Sequence, residues 1–369
     1  MSSEHFIALD THCSFSEMAV VSQSGRLLKR DRCATAIPQI VEMLDQVRRP
    51  RVLTFEEGPL ADWLARNLRT HVEKLIVCEP RRNALIAKDG EKDDPIDAEK
   101  LAQLLRGGYL KEVHQANSLD RALLKQHVAF YHDRVRERVR QGQQLVAQLR
   151  RHGAFASITE LLDEERRRQI YKMLPRRKLL IEHLELVRQV YEMMLQQEEY
   201  LRLELVRLAR REAPVKQFVE VPGIGWIRAV TFYVYMDTPE RFKSKSAAWA
   251  YCGIGLERRH SGRGPMKVKL AHRANRRLKN VVVGAAKSAI ASGDNPFADK
   301  HRYWIQEEGE HPSTARRNTA RAIVGVLLSM WKSGSEYDPA LVRGVGRPSQ
   351  QRVKLPSSTR RSSSGDTEP

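Results

Sequence analysis

The sequence predicts an α/β domain at the N-terminus, then a long helical segment, then a mostly helical C-terminal domain. Short apolar runs of strand character fill the first 113 residues, whereas residues 118–212 carry no strand pattern. We place the domain limits at 1–115, 116–212 and 213–338. The remaining stretch, 339–369, is rich in Arg, Ser, Pro and Gly without apolar periodicity, so we expect a disordered basic tail.

The N-terminal elements follow from their patterns in chain order. Apolar runs at 6–9, 18–21 and 27–28 predict an antiparallel meander, with a Ser24-Gly25 turn between the last two. The elements that follow are a helix over 40–47, a strand over 52–55, a helix over 60–68, a strand over 75–78 and a helix over 95–105. A meander that gives way to alternating strands and helices is typical of the RNase H-like fold.

The helical segment contains a regular apolar stripe. Apolar residues alternate at spacings of four and three, and Glu198 alone interrupts them. The stripe consists of Leu180, Leu184, Val187, Tyr191, Met194, Leu201, Leu205 and Leu208. This spacing predicts a coiled-coil seam of about four heptads, which we interpret as a dimerisation surface. The alternative is a long amphipathic helix that packs on its own domain.

Charge and cysteine usage narrow the function classes. The net charge is +19, and a soluble chain with that excess usually binds nucleic acid. A basic ribosome-associated or membrane-surface protein is the alternative. The four cysteines have neither metal-ligand nor disulfide spacing, and no secretory signal or apolar run of membrane length is present. We therefore expect a reduced cytoplasmic protein without a membrane segment.

Carboxylates stand where predicted strands end and where a predicted helix begins. Asp10 closes the first strand, Glu56 closes a later strand with Glu57 next to it, and Asp94 and Asp97 begin the helix. Such positions can converge at one edge of a sheet. Phosphoryl transfer on DNA uses this arrangement, because two divalent metals stabilise the attacking and leaving oxygens. Hard oxygen ligands suit Mg²⁺ or Mn²⁺.

Each carboxylate also has a plain structural interpretation. Asp10 can be a turn residue, Asp94 a helix N-cap before Pro95, and Asp97 a charge that favours the helix dipole. Glu56 and Glu57 can be a solvated strand end. It is the combination in this order that favours a metal site.

Two further features stand in the C-terminal domain. The run Val-Pro-Gly-Ile-Gly at 221–225 resembles the hairpin of helix-hairpin-helix modules, in which Gly223 and Gly225 permit close backbone approach to a phosphate. It can equally be a plain helix connection. Ser261 lies in a Gly-rich basic stretch, where a hydroxyl could attack a phosphodiester. An ordinary Ser-Gly turn is the alternative.

The basic stretch around Ser261 is a candidate nucleic-acid contact. Its cations are Arg258, Arg259, Arg263, Lys267, Lys269, Arg273, Arg276 and Arg277. Ser244 is a weaker nucleophile candidate because helix capping explains it, and the apolar surroundings of Tyr251 suit packing.

Over roughly residues 5–335 the chain resembles the DEDD-type insertion-sequence transposases, the group that includes the Piv-like DNA invertases. The matching motifs are Ile-Ala-Leu-Asp-Thr at 7–11, Phe-Glu-Glu-Gly-Pro at 55–59, and the stretches 92–98, 221–225 and 253–262. One motif departs from the family, which usually has Glu-Ala-Thr-Gly where this chain has Glu-Glu-Gly-Pro. Glu56 follows the apolar Phe55 and is favoured as the ligand, and Glu57 stays open.

The resemblance implies a RuvC-like domain that binds metal through Asp10, Glu56, Asp94 and Asp97. It implies a C-terminal transposase domain with Ser261 as a nucleophile that bonds covalently to DNA, the acidic domain cooperating across subunits. It also implies a homo-oligomer, a dimer or a tetramer on DNA, and a structured guide RNA from the same element. A metal-dependent junction-resolving nuclease without the serine step is the second hypothesis, and a non-catalytic nucleic-acid binder is the third.

Overall fold

A computed structural model describes residues 4–80, 94–116, 118–175, 177–259, 267–270, 274–340 and 342. The chain forms two compact units. The first comprises Met1–Glu212 with Val230–Arg241, and the second comprises Ala213–Ala229 with Phe242–Pro369. Within the part of the chain that is described, no helix has the length and apolar character needed to cross a membrane.

The first unit begins with a five-stranded mixed sheet in the order β3-β2-β1-β4-β5. Its strands are β1 (His5–Thr11), β2 (Phe15–Ser22), β3 (Leu27–Ala34), β4 (Arg51–Glu56) and β5 (Lys74–Cys78). β1, β2 and β3 pair antiparallel, whereas β1 with β4 and β4 with β5 pair parallel. The predicted α/β domain, with its meander followed by alternating strands and helices, is confirmed. β3 is longer than predicted, because its polar residues alternate on an edge strand and hide the apolar pattern.

Three helices cover the two faces of this sheet. α1 (Ile37–Asp45) and α2 (Ala61–Leu68) pack on the face that carries the inward residues of β1 at positions 7 and 9. α3 (Asp94–Arg106) packs on the opposite face. Ala8 and Ala19 of the sheet meet Ala98 and Ala102 of α3, and these small side chains bring the helix close to the strands.

A helical hairpin completes the first unit. It contains α4 (Leu119–Arg151), α5 (Ile158–Leu162), α6 (Glu164–Lys172) and α7 (Lys178–Ala209). Ser118 caps α4, and Ser157 with Glu160 forms a capping box at the start of α5, which explains where these helices begin. The long helices α4 and α7 pack against each other.

The apolar stripe predicted as a dimer seam faces α4 of the same chain. Leu184 packs with Leu145 and Leu149 of α4, and Tyr191 lies over Gly142, where an added Cβ would be 2.9 Å from the ring. Glu198, which interrupts the stripe, binds Arg138 of α4. Within the chain the stripe packs on its own domain, as the alternative interpretation has it, and dimerisation stays a prediction. A sequence stripe indicates that a helix face is covered, but not by which chain.

A polar cluster fixes the residues around the end of α9 within the first unit. Asp237, a non-glycine residue at φ 67°, contacts His114 and Arg121 through its carboxylate. The Arg121 guanidinium also lies 3.6 Å over the ring of Tyr233, whose hydroxyl donates to Glu212. Burial would raise the pKa of Asp237, but the hydrogen bond and charge of His114, together with the charges of Arg121 and Lys125, outweigh burial and hold that pKa below its usual value.

The second unit is mostly helical, with one β-hairpin. Its elements are α8 (Ala213–Phe218), α9 (Trp226–Met236), α10 (Lys245–Tyr251), β6 (Leu256–Arg259), β7 (Lys267–Leu270), α11 (Arg276–Ser292), α12 (Pro296–Gln306) and α13 (Pro312–Ser333). β6 and β7 pair antiparallel, a hairpin that the sequence did not reveal. The residues of α9 from Val230 onward belong to the first unit.

The predicted tail is ordered at its start. Val342 is buried, and its carbonyl accepts a hydrogen bond from Nζ of Lys300 at 2.9 Å. Residues 341 and 343–369 of the predicted tail lie outside the described residues.

Candidate active site

Asp10 and Glu56 occupy equivalent positions on adjacent parallel strands. β1 and β4 pair in register up to Leu9 and Phe55, so the two carboxylates follow at the same edge of the sheet. Leu9 and Phe55 pack on the α1 and α2 side. Because successive side chains alternate between faces, Asp10 and Glu56 both belong to the face that α3 covers. Both residues are partly buried.

α3 crosses this face so that its first turn lies toward the same edge. Nε2 of Gln103 donates to the carbonyl of Gly25 at 2.7 Å. Gly25 lies in the β2–β3 turn, at the edge where β1 begins, because His5 pairs with Ser22. The 13 residues of α3 rise about 20 Å, close to the length of β1. The end of α3 that carries Asp97 therefore lies toward the two strand-end carboxylates.

Among the described residues, these carboxylates do not form a complete set of metal ligands. No group of three or more described His, Cys, Asp or Glu side chains is placed so that it could hold one metal ion. Asp94 begins α3, but its side chain, like the segment 81–93, lies outside what the structure describes. Asp10 and Glu56 thus supply two hard oxygen ligands at one edge, which fit a divalent cation, and Asp97 lies toward that edge.

The geometry bears on the choice between Glu56 and Glu57. Glu57 is exposed, and its amide continues the pairing with β5 by donating to the carbonyl of Cys78 at 2.8 Å. Strand alternation directs Glu57 away from the α3 face. These positions favour Glu56 as the ligand.

Two residues near Asp10 escaped the sequence analysis. Glu17 is the antiparallel register partner of Asp10, belongs to the same face, and is 7% exposed. It makes an ion pair with Arg32 at 3.2 Å. Nε2 of His12 lies 3.4 Å from the Asp10 carboxylate, and the His12 ring packs on Phe15. Glu17 stands at every-second-residue spacing from Ala19 and Val21, so it belongs to the same buried face of β2, and this spacing could have identified it.

Ser261 follows β6 by two residues, in the stretch 260–266 that lies outside the described residues. The backbone of the flanking strands is described, and Arg259 and Lys267 are register partners at the end next to this stretch.

The other end of the β6–β7 hairpin is held by close packing. Gly253 has φ +68°, and a Cβ on Gly255 would lie 2.6 Å from the backbone of Ala250. Nε of Arg321 in α13 donates to the carbonyl of Ile254 at 2.8 Å. These contacts fix where β6 begins.

The two rival nucleophiles have structural roles. Oγ of Ser244 accepts a hydrogen bond from the amide of Ala247 and caps α10, as predicted. Tyr251 packs against the ring of Phe242 with 5.4 Å between centroids.

The glycine turn at 221–225 joins α8 to α9, and its two glycines differ. A Cβ on Gly223 (φ +85°) would lie 2.3 Å from the carbonyl oxygen of Ala285 in α11. Gly223 therefore serves helix packing inside the second unit. Gly225 is exposed, and a Cβ there would meet no atom within 4 Å. The exposed Gly225 is thus the better candidate for a phosphate contact.

The candidate nucleic-acid cations fall into three groups. Arg276 and Arg277 begin α11, and Arg276 is exposed. The structure gives only strand positions for Arg258, Arg259, Lys267 and Lys269, and Arg263 and Arg273 lie outside the described residues.

Comparisons with known proteins cover both units. A family model described as "Transposase IS116/IS110/IS902 family" matches residues 215–302. A second, transposase model of the DEDD type from the IS110 group matches residues 7–153. The first match contains Ser261, and the second contains all four candidate carboxylates. No curated protein matches the chain.

Proposed function

Because the chain carries the transposase domains of the IS110/IS116/IS902 family, we propose that it is an insertion-sequence transposase that cuts and rejoins DNA with an acidic metal site and a serine. The acidic site consists of Asp10, Glu56, Asp94 and Asp97, and the nucleophile is Ser261. The observation that carries this proposal is the shared edge and face of Asp10 and Glu56, toward which α3 directs Asp97.

The acidic residues would hold Mg²⁺ or Mn²⁺. Carboxylate oxygens are the ligands that these ions prefer, and carboxylates gathered at one edge would repel one another without a cation. A divalent metal bound there would stabilise negative charge on phosphate oxygens. Asp10 and Glu56 stand at the ends of paired strands, so they would offer the metal ligands at fixed positions.

Ser261 would exchange one phosphodiester bond for another. Its Oγ attacks phosphorus and loses its proton, the Ser–phosphate bond forms, and one sugar oxygen leaves and is protonated to a free hydroxyl. Rejoining is the reverse reaction with a hydroxyl of another DNA end, which restores the serine. The number of phosphoester bonds is unchanged, so no nucleotide cofactor is needed. Cations beside the serine would stabilise the charge on the transferring phosphate.

Partners beyond the DNA follow from the resemblance and from the charge. The net charge of +19 suits a chain that holds DNA together with a structured guide RNA. A dimer or tetramer on DNA would let the acidic site of one chain act with the serine of another. Since α4 covers the α7 stripe around Leu184 and Tyr191, such an assembly would use surfaces other than this part of the stripe.

Incubation of the protein with a labelled DNA carrying the element ends and Mg²⁺, followed by denaturing electrophoresis, tests this function. We expect a covalent protein–DNA adduct with the unaltered chain and none with Ser261→Ala, which should still bind DNA. An adduct that persists in Ser261→Ala, or that maps to Tyr251 by mass spectrometry, would overturn the mechanism.

A matched pair of variants tests the acidic site. Glu56→Gln removes a charge on the α3 face and should abolish adduct formation, whereas Glu57→Gln should leave it within about twofold. Metal-dependent cleavage without any adduct would instead favour the junction-resolving nuclease. The absence of cleavage at every metal tested would favour a non-catalytic binder.

A further inference from the structure

The arginines of this chain differ in whether a carboxylate compensates their charge. Eight described arginines of the helical hairpin bind a carboxylate of the same hairpin, so their charge is compensated within the chain. These are Arg134, Arg136, Arg138, Arg167, Arg168, Arg188, Arg202 and Arg207. Such arginines have little reason to bind an external anion.

Arg317 and Arg321 of α13 depart from this pattern. They lie one helical turn apart, so their side chains are neighbours on the helix. Nη2 of Arg317 donates to Oγ1 of Thr314 at 3.0 Å, and Nη1 of Arg321 donates to Oδ1 of Asn318 at 2.7 Å. Neither makes an ion pair with any residue in the described part of the chain.

Both guanidinium groups are partly buried, which makes their uncompensated charge costly. Burial lowers the pKa of Arg321, and the positive charge of Arg317 lowers it further. A guanidinium has five N–H donors, and the contacts above use two on Arg321 and one on Arg317. Two neighbouring cations with spare donors have the chemistry of an anion-binding site.

The position of this pair indicates which anion it binds. The bond from Nε of Arg321 to the carbonyl of Ile254 places the pair at the base of the β6–β7 hairpin. Near that base, the side chain of Lys279 lies beside Gly253, 3.1 Å from where a Cβ would be. β6 then runs about 13 Å toward the segment that holds Ser261.

We propose that Arg317 and Arg321 form a binding site for a backbone phosphate of DNA, distinct from the phosphate that Ser261 attacks. The site rests on the proposed function, since it holds the DNA strand near the hairpin that carries the nucleophile. Guanidinium groups bind phosphate through paired, charge-assisted hydrogen bonds. A phosphate contact involves no base, so it would fix the position of the DNA strand whatever its sequence. The pair lies beyond the region 215–302 that the family model matches.

Salt-dependent DNA binding tests the site without catalysis. The probe is a fluorescent duplex of random sequence, measured in the Ser261→Ala background without divalent metal. Each phosphate contact contributes about −0.9 to the slope of log affinity against log salt. We expect Arg317→Gln to reduce the slope by about this amount. The expected result is the same for Arg321→Gln, whereas Arg321→Lys should keep most of the slope.

Arg302→Gln is the matched control, because it removes one arginine charge that Asp299 already compensates in the same unit. Its slope should stay unchanged, and circular dichroism should show that all variants are folded. Equal slopes for Arg317→Gln and Arg302→Gln would overturn the phosphate site, as would a loss confined to an RNA duplex. A missing Ser261 adduct in the unaltered chain would refute the serine mechanism and leave this comparison of slopes intact.

Discussion

Replacement of Gly223 by alanine is the sharpest test of what the Val-Pro-Gly-Ile-Gly turn does. The residue has φ +85°, in the left-handed region that costs an L-residue about 1–2 kcal/mol. The added Cβ would also lie 2.3 Å from the Ala285 oxygen and 3.0 Å from the Ala289 nitrogen, both backbone atoms of α11. Ordinary contact begins near 3.4 Å, so α11 must move by about 1 Å.

Overpacking of this kind typically adds about 1–3 kcal/mol, so the total destabilisation is about 2–5 kcal/mol. For a unit of this size 1 kcal/mol corresponds to about 2–4 °C, and we expect the Tm to fall by roughly 4–20 °C. Thermal unfolding followed by calorimetry measures this change. Gly225→Ala is the control, and its Tm should be unchanged or slightly higher, since a Cβ there meets nothing within 4 Å.

DNA binding by the same two variants separates packing from recognition. The folded fraction of Gly223→Ala should bind DNA with unaltered affinity. If Gly223→Ala kept its Tm and lost DNA binding, the turn would be a phosphate contact and the packing argument would be refuted.

Three other predictions concern the rest of the chain. A double-mutant cycle of Arg138→Met and Glu198→Leu should give a coupling of about 1.5–3 kcal/mol in urea unfolding, because the pair is mostly buried between α4 and α7; a coupling near zero would contradict the hairpin packing. His114, Arg121 and Lys125 together lower the pKa of Asp237 against the effect of burial, so the ionised Asp237 stabilises the fold above about pH 4, and this stabilisation is lost as the pH falls through the lowered pKa of the folded state. The urea midpoints of the unaltered chain and Asp237→Asn should therefore converge on acidification, and a constant difference would refute this. Burial raises the pKa of Cys252 to about 12, so mass spectrometry after iodoacetamide treatment at pH 8 should find this thiol unmodified unless the protein unfolds.

The sequence alone determined the order and type of the N-terminal elements. Strand alternation and helical spacing are local patterns, so β1, β4 and α3 could be read from 6–9, 52–55 and 95–105. The candidate carboxylates followed, because a charge that closes an apolar strand is visible in the sequence. Their convergence needed the parallel register of β1 with β4, which no local pattern contains.

The β6–β7 hairpin shows where local patterns end. Its strands are four residues long and mostly charged, so neither an apolar alternation nor a buried run marks them. The pairing of Leu256 with Leu270 becomes visible in the backbone register alone.

The tertiary structure decided which element packs against each buried surface that the sequence had indicated. The stripe of α7 required a covering helix, and α4 supplies it around Leu184 and Tyr191. Gly223 required a close neighbour, and α11 is that neighbour. Arg321 reaches Ile254 across 67 positions of sequence. Periodicity reports which face of an element is buried, but long-range contacts are set by the global packing, and so the sequence identified the surfaces and the fold chose what meets them.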